Sequence, residues 1–195
     1  HSFWPFRLGR EATIFNKTDN YSDLIKQIRE LSFIGTIETE PSYGKYHYDG
    51  HRLCNFSCSP EESFKLNGIC PVCGKGLTIG VENRVNELAN QISKENKNQK
   101  KYFTLLPLHE IIALCYDVKV ESKKSWEVYN SLIEKFGNEF NILLNVSWDE
   151  FFNKNVDDKL IKLILLNRQG KVKVLPGYDG EYGKAVIEEK QETLI

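Results

Sequence analysis

The chain has 195 residues, of which 41% are hydrophobic and 27% are charged, and its formal net charge is −1. This composition is typical of one large or two small globular domains, and the near-neutral charge excludes nucleic-acid binding driven by overall charge. There is no run of 18 apolar residues, so we expect no transmembrane helix and no membrane partner. The chain begins with histidine and contains no methionine, which indicates a processed chain or a piece of a longer one.

Residues 1–42 are predicted to form the end of an α/β domain. Apolar residues recur at helical spacing across residues 21–31, and residues 33–38 have the pattern of a short strand. A helix that leads into a strand is typical of the closing unit of such a domain.

Residues 43–80 contain four of the five cysteines, in two closely spaced pairs. Cys54 and Cys58 are separated by three residues, and Cys70 and Cys73 by two. Two such pairs can bring four thiolates to one point, which predicts a structural four-cysteine zinc site. A redox-active pair or two chance pairs are the alternatives. Clustered cysteines of this kind indicate a reducing compartment, so a cytoplasmic location is expected.

Residues 81–195 are predicted to be mostly helical. Helical spacing of apolar residues is found at 81–92, 107–116, 125–136 and 157–167, and a capping box at residues 147–150 opens a further short helix. The end of the chain, residues 171–184, has the pattern of a strand, a glycine-rich loop and a second strand. The fold class predicted from the sequence is therefore α+β.

Two segments are rich in polar and aromatic residues. The histidine–tyrosine segment, residues 44–52, is suited to contact phosphate and stack on a base. The alternative is that its His51 or Arg52 supports the zinc site by packing beside Cys54. The glycine–tyrosine loop, residues 176–184, offers stacking faces and a lysine, but the pattern alone favours an ordinary hairpin turn.

Several stretches, taken together and in order, resemble the endonuclease Q branch of the PHP (polymerase and histidinol phosphatase) superfamily. They are HSFWPFRLGRE (1–11), GTIE (35–38), the histidine–tyrosine segment, the four clustered cysteines, Gly80-Val81, PLHEII (107–112) and the glycine–tyrosine loop. The resemblance covers nearly the whole chain. Its motifs are modest individually and specific as a set.

The resemblance implies a metal-dependent endonuclease that nicks DNA at deaminated bases (uracil, hypoxanthine, xanthine) or at abasic sites. Residues 1–42 then correspond to the C-terminal remnant of a PHP barrel, residues 43–80 to the zinc module and residues 81–195 to a mostly helical domain. The barrel is expected to bind catalytic divalent metals (Zn, Mg or Mn). His1 corresponds to the last histidine ligand of the barrel, so it is the one catalytic residue assigned here. Because the other barrel ligands lie outside this sequence, the chain alone is expected to be inactive.

The resemblance also assigns basic and aromatic residues to a surface that faces DNA. They are Arg7, Arg10, Lys45, Tyr46, His47, Tyr48, His51, Arg52, Tyr178, Tyr182 and Lys184. Two other functions fit the residues: a non-catalytic, zinc-dependent nucleic-acid-binding module, and a PHP phosphoesterase that acts on a small phosphate ester.

Overall fold

The computed structural model describes residues 11–89 and 100–187. The chain divides into two compact units, each built from two separate stretches of sequence. The first unit comprises His1–Thr39 and Gln99–Val172, and the second comprises Glu40–Asn98 and Lys173–Ile195. The expected division into three functional blocks stays a prediction. His1, Arg7 and Arg10 lie outside the described residues.

The secondary structure confirms a mixed α+β architecture, while the PHP barrel stays a prediction. The strands are β1 (Ala12–Ile14), β2 (Gly35–Glu38), β3 (Asp49–His51), β4 (Phe56–Cys58), β5 (Lys101–Thr104), β6 (Lys173–Leu175) and β7 (Lys184–Val186). The helices are α1 (Tyr21–Arg29), α2 (Pro60–Lys65), α3 (Val81–Leu88), α4 (Leu108–Tyr116), α5 (Lys123–Phe136), α6 (Glu139–Leu144), α7 (Trp148–Asn153) and α8 (Asp158–Arg168). Short 3-10 helices span Pro41–Tyr43 and Arg52–Cys54. Within the described ranges, no helix has the length and apolarity needed to cross a bilayer.

The sequence predicted most helices but missed three elements of the first unit. The predicted capping box at Ser147 is present and opens α7. Ser147 Oγ accepts from Glu150 N, and the Glu150 carboxylate accepts from Ser147 N. The elements not predicted are β1, β5 and α6. Both strands have four residues or fewer, and α6 has six. Elements of this length show at most a weak periodic apolar pattern.

The first unit combines a small sheet with α1, which lies between β1 and β2 in sequence, and with α4–α8, which pack against one another. Strand β2 lies between β1, which is antiparallel to it, and β5, which is parallel to it. The core lies among α4, α6, α7 and α8, which supply the largest fully buried side chains. These include Leu108, Ile111, Ile112, Ile142, Leu143, Phe151, Leu160, Ile161 and Ile164.

Two polar side chains, one buried and one half-buried, bond to the backbone at the start of α4. The amide of Asn167 accepts a hydrogen bond from Leu106 N at 2.9 Å and donates one to Leu106 O at 3.0 Å. The carboxylate of Glu139 accepts from Leu108 N at 2.8 Å, at the start of α4. Backbone groups left without partners at helix ends are costly when buried, so these side chains specify where α4 begins.

The second unit is formed by two antiparallel strand pairs, β3–β4 and β6–β7, with α2 and α3. Asp49 of β3 is completely buried. Its carboxylate accepts hydrogen bonds from Gly80 N at 2.6 Å and from the Asn83 amide at 2.7 Å. This carboxylate therefore holds the start of α3 against the β3–β4 hairpin.

His109 of α4 is buried in the first unit and packs among aromatic rings. Its ring stacks on Tyr129 with 3.9 Å between centroids and meets Trp126 edge-on at 4.6 Å. Burial lowers the pKa of His109 to about 4. The neutral imidazole is therefore the form that the folded chain accommodates.

This burial predicts a pH dependence of stability. Because the unfolded state binds the proton more tightly, the contribution of His109 favours folding less as pH falls from about 6.5 toward 4. The free energy of unfolding should drop by up to about 1.4 kcal/mol per pH unit in that window. Denaturant titrations of wild type and His109→Phe should show a shallower dependence in the variant. Parallel curves for the two proteins would contradict the assignment.

Candidate metal centre and its neighbouring segments

Four side chains of the second unit converge on one point. The ligand atoms of His51, Cys54, Cys70 and Cys73 all lie within 4.8 Å of one another. His51 Nδ1 is 3.2 Å from Cys54 Sγ and 3.3 Å from Cys73 Sγ. In a tetrahedral zinc site, a nitrogen and a sulfur ligand are separated by about 3.5 Å. This group can therefore hold a metal ion, and its donor atoms suit zinc.

Two tight turns present these ligands. The first is the 3-10 helix Arg52–Cys54, which follows His51 and ends at Asn55 in the left-handed conformation. The second closes with Gly74, also at positive φ, and Gly74 N donates to Cys70 O at 2.9 Å. A left-handed glycine lets the chain fold back here while the backbone N–H groups point at sulfur.

The thiols of the group have opposed pKa shifts. Burial raises the pKa of Cys70, but hydrogen bonds from the backbone N–H groups of Cys73 and Val72, and from His51, lower it to about 6. Burial and the nearby thiols of Cys73 and Cys70 raise the pKa of Cys54 to about 11. Thiolates gathered this closely repel one another, and a divalent cation at their centre would offset that repulsion.

The predicted four-cysteine ligand set is corrected, because Cys58 lies outside the group. Cys58 belongs to β4 and pairs with Asp49 of β3, whereas His51 pairs with Phe56. Two residues along a strand correspond to about 7 Å, which moves Cys58 away from the point where His51 reaches. Its side chain is buried in a small apolar cluster with Cys70 and Leu77, and burial raises its pKa to about 11.

The sequence contained a signal for His51 as the fourth ligand. His51 and Cys54 are separated by two residues, the same spacing as Cys70 and Cys73. The three-residue spacing of Cys54 and Cys58 lacks this match. The alternative that His51 supports the zinc site beside Cys54 gave its position correctly, but the structure places its ring nitrogen among the candidate ligand atoms.

The histidine–tyrosine segment and the glycine–tyrosine loop lie against each other through backbone hydrogen bonds. Gly177 O accepts from His47 N at 3.1 Å and from Tyr48 N at 2.9 Å, and Gly180 N donates to Lys45 O at 3.0 Å. A Cβ on Gly177 would lie 2.3 Å from Gly44 O. Only glycine allows the two backbones to approach this closely. The structure thus brings together two segments that are more than 120 residues apart.

Several of the predicted DNA-facing residues of these segments are exposed. Tyr46 and Tyr182 each have about half of their surface exposed (51%), and Lys45 Nζ lies 4.6 Å from the centre of the Tyr182 ring. Arg52 is also exposed, and its guanidinium lies 3.9 Å from Glu181. An exposed ion pair of this length contributes little stability, so Arg52 can exchange Glu181 for another anion.

The remaining predicted contact residues differ in their surroundings. His47 is partly buried, stacks on Tyr48 at 5.4 Å and lies 3.4 Å from the Glu82 carboxylate. Tyr178 donates its hydroxyl to Asn55 Oδ1 at 2.8 Å. Lys184 is exposed at the start of β7. Their role in DNA contact stays a prediction.

The fold and the site define a class of protein: an α+β chain with two units, one of which carries a candidate metal centre of one histidine and three cysteines. Its solved structural neighbours are endonuclease Q structures. The chain is similar to the lesion-specific endonuclease PfuEndoQ from Pyrococcus furiosus, with a TM-score of 0.80 and 28% identity, over 98% of this chain and 48% of that chain. It is also similar to endonuclease Q in complex with a 27-mer duplex substrate that has an abasic lesion at the active site. That TM-score is 0.77 at 28% identity, over 97% of this chain and 48% of that chain.

The sequence comparisons add a relative and a family. The chain is 34% identical to the uncharacterized protein MJ0043 of Methanocaldococcus jannaschii over an alignment of 190 residues, and the alignment covers 94% of this chain and 24% of that protein. Residues 107–171 match the family described as the MJ0043 C-terminal domain. The chain thus spans about a quarter of this curated relative and about half of the endonuclease Q chains. The resemblance to endonuclease Q seen in the sequence is confirmed.

The corrected ligand set predicts how single substitutions change metal binding. In reducing buffer, His51→Ala and Cys54→Ala should weaken zinc binding strongly, because each removes a ligand. Cys58→Ala removes a sulfur atom from the same module but no ligand, so it should keep wild-type affinity. Cobalt substitution followed by absorption spectroscopy measures both the affinity and the number of thiolates. Loss of metal in Cys58→Ala with retention in His51→Ala would restore the four-cysteine assignment.

Proposed function

We propose that the chain is the DNA-holding part of a metal-dependent endonuclease that nicks DNA at deaminated bases or abasic sites. The observation that carries the proposal is the joining of the histidine–tyrosine segment and the glycine–tyrosine loop in a chain whose fold is shared with endonuclease Q. A neighbouring structure of endonuclease Q holds duplex DNA with an abasic lesion. The proposed partner is therefore DNA with such lesions.

The proposal gives each part of the chain a role. Residues 1–42 complete a PHP barrel that binds catalytic Zn, Mg or Mn, with His1 as a metal ligand. Residues 43–80 hold a structural zinc ion through His51 and the three cysteines that surround it. Residues 81–195 supply the helical domain and the glycine–tyrosine loop. A single barrel histidine cannot hold a metal cluster, so this chain alone binds DNA without cutting it.

The exposed groups fit DNA contact by their chemistry. Lys45 and Arg52 can meet phosphate oxygens, and Tyr46 and Tyr182 offer faces on which an unstacked base can lie. The net charge of −1 means that no overall attraction to DNA assists them. Affinity then depends on local contacts and falls as salt rises.

The activity of the parent tests the proposal directly. The full-length parent, supplied with divalent metal, should nick duplexes that contain uracil, hypoxanthine or an abasic site, and it should leave the undamaged duplex intact. The 195-residue chain alone should cut none of them. Cleavage of small phosphate esters but not of DNA by the parent would favour the small-molecule phosphoesterase. DNA binding by a parent that cuts nothing would favour the non-catalytic module.

The proposed contact surface predicts the effect of removing one cation. Arg52→Ala should weaken binding of the chain to an abasic duplex and reduce the slope of log affinity against log salt by about 1. Lys119→Ala, which removes an exposed cation from the first unit, is the matched control and should change neither quantity. Fluorescence anisotropy at several salt concentrations measures both. Equal effects of the two substitutions would contradict the assigned surface.

A further inference from the structure

We propose that Tyr178 and Asp179 are positioning residues that couple occupation of the metal centre to the shape of the DNA-facing surface. The coupling to DNA rests on the proposed function, whereas the effect on metal binding does not. Both residues belong to the glycine–tyrosine loop, more than 120 residues from the turn that they hold.

Asp179 caps the turn that carries two of the metal ligands. Its Oδ2 accepts from Arg52 N at 2.7 Å, and its Oδ1 accepts from the Thr78 hydroxyl at 2.7 Å. Arg52 N is the first N–H group of the 3-10 helix between His51 and Cys54, and His51 makes no capping bond to it. The His51 ring nitrogen faces sulfur instead. The cap of this turn is therefore supplied from the glycine–tyrosine loop.

Tyr178 holds the other end of the same turn. Its hydroxyl donates to Oδ1 of Asn55, the left-handed residue that ends the 3-10 helix. Its ring also covers Gly50, where an added Cβ would lie 2.4 Å from Tyr178 Cδ2. Two consecutive residues of the loop thus bracket the ligand-bearing turn.

The loop in turn depends on these contacts for its own conformation. Asp179 has φ 41° and Gly180 has φ 93°, and an aspartate in the left-handed region needs its surroundings to sustain it. Gly180 N bonds to Lys45 O. A Cβ on Gly180 would meet Arg52 Nη1 at 3.6 Å and Tyr46 Oη at 3.8 Å. Groups proposed to contact DNA are therefore arranged around this loop.

The turn at residues 51–55 is thus bonded both to the metal centre and to the loop that orders the DNA-facing surface. A metal ion that fixes His51 and Cys54 also fixes Arg52 N and Asn55, to which the loop is bonded. By thermodynamic linkage, if zinc raises the affinity for DNA by some factor, DNA raises the affinity for zinc by the same factor. Weakening the Tyr178–Asp179 contacts should lower zinc affinity and bring this factor closer to one.

Zinc affinity of the 195-residue chain tests the first part. In competition with a chromophoric chelator, Asp179→Asn should weaken zinc binding about tenfold, the scale seen when a group supporting a metal ligand is lost. Tyr178→Phe, which removes a single oxygen, should weaken it less and in the same direction. If Asp179→Asn fails to fold, Tyr178→Phe still tests the positioning role. Glu121→Gln, which neutralises a carboxylate of the first unit, is the charge-matched control. Wild-type zinc affinity in the Tyr178 and Asp179 variants would overturn the proposal.

The same titrations with saturating abasic duplex test the coupling. DNA should raise the zinc affinity of wild type and of Glu121→Gln, and it should do so less in Tyr178→Phe and Asp179→Asn. An undiminished effect in those two variants would overturn the coupling while leaving the proposed function intact. If wild type binds no DNA in anisotropy, the proposed function fails, whereas a weakened zinc affinity in the variants would still establish the positioning role.

Discussion

The second unit depends on a constraint that its composition imposes: it has almost no apolar core. Among its described residues, the buried hydrophobic side chains are Cys58, Cys70 and Leu77. So few buried groups cannot offset the conformational entropy of a unit this size. A metal ion bound by His51 and three cysteines would supply the missing stability, since binding energy at such a site contributes directly to folding. The backbone bonds between the histidine–tyrosine segment and the glycine–tyrosine loop supply order where hydrophobic packing does not.

This constraint links architecture to function. The residues that order the second unit lie directly beside those proposed to meet DNA: His51 precedes Arg52, and the Asp179 carboxylate accepts from Arg52 N. A surface built on polar contacts and glycine backbone can present tyrosine and cation side chains to a ligand, whereas a conventional apolar core would draw such aromatic rings inward. In the proposed arrangement this metal ion is structural, and the proposal assigns the chemistry of cutting to barrel metals of the parent.

The first unit, in contrast, is stabilised by an apolar core. Its helices supply an apolar core, and the polar side chains of Asn167 and Glu139 bond to the backbone at the start of α4. Apolar residues that face such a core recur at helical spacing in the sequence. For this reason α4, α5 and α8 were predicted close to their observed bounds. The strands β1 and β5 were not predicted. Strands of three or four residues show at most a weak apolar alternation, and the pairing of both with β2 joins residues far apart in the sequence. Residues 107–171, which match the MJ0043 C-terminal domain, lie in this unit.

The sequence alone determined the α+β class, most of the helices, the cap at Ser147, three of the four candidate metal ligands, and the resemblance to endonuclease Q. These depend on local spacing or on ordered motifs, which a linear chain displays directly. Only the tertiary structure decided that His51 replaces Cys58, because strand register sets which side chains reach a common point. It alone joined residues 44–52 to residues 176–184, and it alone placed the Asp179 carboxylate on Arg52 N. Contacts between residues more than 120 positions apart arise from the folded path of the chain and leave no periodic signal in its sequence.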